Sequence, residues 1–149
     1  MIEYYSRNLA QTLTIAKNFS KILSEGDLVR FFGGLGAGKT SFIKGIAKGL
    51  GFPEDEVVSS SFIILREYKA RFPIFQIDLY RLKSSQIPDE VYEVIFERKG
   101  LVLVEWPEKL EIERECFDIQ IDFLSLSERR IKISSGYSAL EKRLESLKK

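Results

Sequence analysis

The run Gly33-Gly34-Leu35-Gly36-Ala37-Gly38-Lys39-Thr40 constrains this chain more than any other segment. It satisfies GxxxxGK[ST] at every fixed position, and patterned segments flank it on both sides. Leu28-Val29-Arg30-Phe31-Phe32 before it reads as a strand, and residues 39–49 after it read as a helix ended by Gly49 or Gly51, with Pro53 beyond. Glycine admits positive φ and lets backbone N–H groups approach anionic oxygens without a Cβ clash. Successive N–H groups at a helix N-terminus form an anion nest that the helix dipole reinforces. Lys39 adds a point charge for the β- and γ-phosphates, and the Thr40 hydroxyl is placed to ligate a bridging Mg²⁺. The candidate phosphate-binding segment therefore comprises Gly34, Leu35, Gly36, Ala37, Gly38, Lys39, Thr40 and Ser41. The plain alternative is a glycine-rich turn that caps a helix.

The rest of the chain alternates strand and helix patterns. Residues 2–5 read as a short strand, and residues 8–23 as a helix with Leu9, Leu13, Ile15, Ala16, Phe19, Ile22 and Leu23 on one stripe. Phe62 to Tyr68 and Ile74 to Leu79 read as a hairpin joined through Lys69–Pro73. Residues 85–98 read as a helix with Pro88 near its start and Val91, Val94 and Ile95 inward. Leu101-Val102-Leu103-Val104 has the continuous apolar character of a strand buried on both faces. Residues 119–123 and 130–134 read as two more strands, and Leu140, Leu144 and Leu147 mark an amphipathic tail helix. The fold class expected is α/β, a P-loop NTPase fold with a mixed, centrally parallel sheet. At 149 residues the chain is expected to form one domain.

Two predicted strands end in acids. Leu101–Val104 runs into Glu105, and Ile74-Phe75-Gln76-Ile77 runs into Asp78. Ligands of open α/β sheets sit beyond the carboxyl ends of strands. Glu105 is accordingly the candidate Walker B acid, facing Mg²⁺ or an attacking water, and Asp78 a second acid near the metal or the nucleophilic water. A solvated strand end, or for Asp78 a helix N-cap or an ion pair with Arg81, is the ordinary alternative. Trp106 follows Glu105 directly and is weighed as core or as pocket wall. Ser59-Ser60-Ser61 lies where P-loop proteins often carry a hydroxyl that orders around the γ-phosphate.

What is missing narrows the chemistry. The chain has no His, which excludes Ser-His-Asp and Cys-His catalysis and His-ligated zinc. Any general base must be a carboxylate or the substrate itself. The single Cys116 forms no internal disulfide and reads as a small buried hydrophobe. No apolar run approaches a membrane span, so a soluble, cytoplasmic protein is expected. A net charge of +1 gives no support to direct nucleic-acid binding, and Lys44, Lys48, Arg66, Lys69 and Arg71 read as ordinary surface solvation.

Taken together, GGLGAGKTSF (33–42), SSSF (59–62), IDLYRL (77–82) and LVEWPEKL (103–110) resemble the TsaE family, formerly YjeE. These are small P-loop ATPases required in bacteria for the threonylcarbamoyladenosine modification beside the tRNA anticodon. The resemblance implies Mg-ATP binding, slow hydrolysis, and assembly with TsaB and TsaD, with tRNA met through that complex. It implies that Thr40 and Glu105 hold Mg²⁺, that Lys39 and Asp78 support hydrolysis, and that Ser61 is a switch-like hydroxyl. It also implies that Trp106 and Glu108 lie near the nucleotide and that the base packs near Leu9 and Ala10. The chain departs from the family pattern at Gly34 (usually Asp), Ser60 (usually Pro), Ser61 (usually Thr) and Gln76 (usually His).

Other classes share the loop. A small-molecule kinase needs an acceptor pocket and an Arg-rich lid, whereas Arg66, Arg81, Arg98 and Arg114 are scattered. A regulatory module would hold nucleotide without hydrolysis. A GTPase fits least, since neither NKxD nor a DxxG after a strand is present.

Overall fold

The computed structural model describes residues 1–58 and 63–148. Its frame is a seven-stranded sheet formed by β1 (Ile2–Ser6), β2 (Leu28–Phe32), β3 (Leu65–Lys69), β4 (Pro73–Asp78), β5 (Leu101–Glu105), β6 (Phe117–Phe123) and β7 (Arg129–Ser134). The order across the sheet is β1-β7-β6-β2-β5-β4-β3. The four central strands β6, β2, β5 and β4 are parallel, and the flanking pairs β1–β7, β7–β6 and β4–β3 are antiparallel. This is the mixed, centrally parallel α/β sheet expected from the sequence.

Four helices complete the fold: α1 (Leu9–Ser20), α2 (Lys39–Gly49), α3 (Asp89–Glu97) and α4 (Ser138–Glu145). The period-two alternation of the strands separates two cores. Val29, Phe31, Leu101, Leu103, Ile74, Ile119 and Ile121 pack with Phe19 of α1, Phe42 and Ile46 of α2, and Leu140 and Leu144 of α4. Leu28, Val102, Val104 and Ile77 pack on the other face with Val91 and Ile95 of α3. Past β2 that second core reaches only Cys116, just before β6. The rest of this face, from Arg30 of β2 outward, carries Arg30, Asp118, Gln120, Asp122, Arg130 and Lys132, tied by Arg30–Asp118 at 2.7 Å and Arg130–Asp122 at 3.1 Å. Helices α1 and α2 cross so closely that a Cβ on Gly45 would lie 2.5 Å from the Cβ of Ala16.

Several boundaries differ from expectation. The first helix ends at Ser20, because Lys21, Ile22 and Leu23 turn tightly through N–H bonds to Asn18, Phe19 and Ser20. The expected helix 85–98 splits. Pro88 holds Ile87 extended (ψ 122°), leaving a short 3₁₀ turn at Ser84–Gln86 before α3. The first hairpin strand begins at Leu65, and Phe62, its expected start, lies outside the described residues. Strand β6 starts at Phe117, two residues before the expected Ile119, because parallel pairing with β2 extends to Val29↔Phe117. Cys116 is buried and free, with its thiol pushed up to about 11, chiefly by burial.

Candidate active site

Strand β2 delivers the chain into the glycine loop. Gly33 sits at φ 147°, where a Cβ would meet the Ile121 carbonyl at 2.6 Å, so no side chain fits there. Gly36 and Gly38 also take positive φ, at 73° and 111°. Gly38 caps α2 and, being glycine, supplies no side-chain cap bond to the first N–H groups of that helix.

A cleft of about 410 Å³ opens above this turn. Leu35 through Ser41 form one wall, and Asp78, Tyr80, Glu105, Trp106 and Arg129 form the others. The sheet explains why the two acids meet. Asp78 ends β4 and Glu105 ends β5, and they are direct partners in the parallel register. Parallel strands that stop level present their last side chains side by side.

Lys39 is buried, and its ammonium donates to the Gly33 carbonyl at 2.8 Å while resting 3.8 Å from the centroid of the Trp106 ring. Among the described residues it forms no ion pair. Burial lowers its pKa, against the pull of Glu105, Asp78 and Glu108. Glu105 is only 6% exposed, and its carboxyl is pushed up to about 7. Burial is the main cause and repulsion from Asp78 the second, while Lys39 and a hydrogen bond from Gln76 oppose them. Asp78 accepts from the Tyr80 N–H at 3.0 Å, an Asx-type turn that fixes the start of the following loop.

Trp106 adopts a left-handed backbone (φ 61°, ψ 49°), rare for a bulky residue and typical of over-determined functional positions. Its ring lies 5.0 Å from that of Tyr80. Lys109 braces this wall from behind by donating to the carbonyls of Leu79 and Tyr80.

The structure brings together most, but not all, of the residues singled out from sequence. Leu35, Gly36, Ala37, Gly38, Lys39, Thr40, Ser41, Asp78, Glu105 and Trp106 line one cleft. Gly34 is exposed within the loop itself. Glu108 is exposed in the Pro107–Lys109 turn, off the cleft wall, and acts on Lys39 only through its charge. Leu9 and Ala10 are exposed in the first turn of α1, and Ala10 lines a separate groove with Tyr4, Asn8 and Gln11. Ser61 lies outside the described residues.

Sequence reasoning missed Arg129. From the start of β7 it donates to the loop carbonyls of Ala37 (2.7 Å) and Gly36 (3.4 Å), and to Ser125 (2.7 Å) and Glu128 (2.9 Å). Its guanidinium also covers the Phe123 ring at 4.6 Å. It stands 92 residues from Ala37, and no local pattern marks such a contact.

Comparison with known proteins agrees with this architecture. The profile of the family described as "Threonylcarbamoyl adenosine biosynthesis protein TsaE" matches residues 6–131. Among curated relatives, the tRNA threonylcarbamoyladenosine biosynthesis protein TsaE of Bacillus subtilis is 32% identical over 149 residues, covering 98% of this chain and 93% of that protein. The protein of the same name from Rickettsia felis is 34% identical, covering 88% of this chain and 78% of its own length. The crystal structure of Bacillus subtilis YdiB superposes with a TM-score of 0.81 at 30% identity, covering 99% of this chain and 93% of that one. With a P-loop sheet that ends in paired acids, and relatives matched over nearly its full length, this chain belongs to the TsaE family.

Proposed function

We propose that this chain binds and hydrolyses Mg-ATP as a cytoplasmic subunit of the bacterial tRNA threonylcarbamoyladenosine machinery, acting with TsaB and TsaD. One observation carries the reading. The glycine-capped start of α2, the Lys39 ammonium and the Glu105–Asp78 acid pair all line the same cleft. A triphosphate is the ligand whose charge and length suit an amide nest, one ammonium and a metal-binding acid in a row. In support, the volume is within the usual range for small-ligand sites. No helix among the described residues is long and apolar enough to cross a membrane.

The residues also suit a hard cation. Glu105 is a buried carboxylate without an ion-pair partner among the described residues, and Thr40 lines the same cleft and adds a hydroxyl. These two would hold Mg²⁺, which would neutralise charge on the β- and γ-phosphates. The protein's own groups divide the remaining work. Loop N–H groups and Lys39 bind and orient the phosphates. Asp78, and Glu105 in its ionised form, orient a water and accept its proton, since the chain has no imidazole to do so.

A nucleotide titration tests this reading, with Trp106 emission as the reporter. Phosphates that draw Lys39 off the indole alter the fluorescence of the only Trp in the chain. Lys39→Ala is expected to weaken ATP binding by at least about tenfold, the loss of one charge-assisted contact. Equal affinity in the two proteins refutes the site. Turnover measured alone and with TsaB and TsaD tests the rest of the proposal. ATP hydrolysis that partners leave unchanged in both rate and affinity refutes the partnership, and a phosphorylated metabolite product favours a kinase.

A further inference from the structure

Strand β4 carries an amide where the pattern calls for a hydrocarbon. Gln76 points to the same side as Ile74 and is only 5% exposed, in the core beneath the cleft. A buried amide is costly unless its donor and acceptor are both used. Here both are. The Tyr68 hydroxyl, also buried, donates to Gln76 Oε1 at 2.6 Å and accepts from the Val58 N–H at 3.2 Å. Gln76 Nε2 donates to Glu105 Oε2 at 3.5 Å. Tyr68 is itself held by its ring, 4.8 Å from that of Phe52.

Every link therefore runs one way, from the Val58 amide through a hydroxyl and a carboxamide to the carboxylate on the cleft wall. A polar chain needed only for packing has no reason to end on that group, since hydrocarbons of the same shape would fill the core at least as stably.

We propose that Gln76 and Tyr68 are positioning residues for Glu105, holding its carboxylate in the orientation the reaction uses. This rests on the ATPase reading above. Tyr68 fixes which end of the Gln76 amide faces Glu105, because only Oε1 can accept the phenol proton, which turns Nε2 toward the acid.

The test uses the full chain with Tyr68→Phe, Gln76→Leu and Gln76→His. Tyr68→Phe and Gln76→Leu are expected to lower kcat about tenfold, the worth of one orienting hydrogen bond, and to leave ATP affinity within about twofold. Gln76→His is expected to recover most of kcat, because a neutral imidazole also offers one acceptor and one donor. In nucleotide-free protein, the side-chain amide resonances of Gln76 are expected to shift in both Tyr68→Phe and Glu105→Gln. An active wild type with unchanged kcat in both polar-deleting variants overturns the proposal while the ATPase reading stands. A loss of affinity parallel to the loss of kcat overturns it too, since it would mean that the whole site had loosened. A wild type that binds ATP without turnover, alone and with partners, sinks the hydrolysis reading. The amide resonances then decide the relay, and their failure to move overturns it.

Discussion

Glu105 shows how one residue's surroundings set its chemistry. In the protein without nucleotide or metal its carboxyl titrates at about 7, against 4.5 for an ordinary glutamate, because burial and the neighbouring Asp78 both disfavour the charge. The folded state therefore keeps a proton that the unfolded chain has already released. The stability this supplies is full below the unfolded value near 4.5 and is lost as pH rises through 7. Glu105→Gln cannot lose it. In EDTA, the variant's stability relative to wild type is expected to climb between about pH 5 and pH 8, by on the order of 2–3 kcal/mol. Denaturant melts at both ends of the range check this, and a constant gap contradicts it. Glu105 and Asp78 were readable as strand-end acids from sequence. Their pairing was not, because it depends on β4 and β5 lying adjacent and ending level.

At the scale of elements, the glycine loop is held from both sides. Its own positive-φ glycines shape it, and Arg129 at the start of β7 ties two of its carbonyls to the turn between β6 and β7. Arg129→Ala is expected to weaken ATP binding about five- to tenfold through a looser nest. Arg129→Lys is expected to rescue little, since one ammonium lacks the fork that reaches Ala37 and Ser125 together. The Trp106 titration reads both variants, and an affinity for Arg129→Ala within about twofold of wild type rules the clamp out. Elements with strong local signals were legible in advance: α2 spans Lys39–Gly49, as its pattern and terminal glycine indicated. The ends of α1 and α3 were not, because a tight turn and a proline overrode an apolar period that continued past them.

Across the whole molecule, the end of the sheet opposite the cleft is closed by the tail. Arg143 of α4 grips Asp27 in a bidentate pair at 2.7 and 2.9 Å, donates to the Ile22 carbonyl, and covers the Phe117 ring at 5.3 Å. Asp27 stands just before β2, whereas the glycine loop follows it, so the five residues of β2 separate anchor from site by roughly 17 Å. Arg143→Ala is expected to cost ~1–2 kcal/mol, a fall in Tm of about 2–8 °C, with ATP affinity unchanged. A variant that melts like wild type, or that binds ATP tenfold more weakly, disproves this separation of roles.

The chain's order of strands, helices, glycine loop and terminal acids is written locally, in periods of two and 3.6 and in the special backbone freedom of glycine. That was enough to indicate the α/β class, the glycine loop ahead of α2 and the two strand-end acids. Only tertiary structure decided which acids share a wall, which arginine braces the loop, and that the amide of Gln76 meets Glu105. Those contacts join residues tens of positions apart, and strand order, which no local period encodes, determines which of them come within bonding distance.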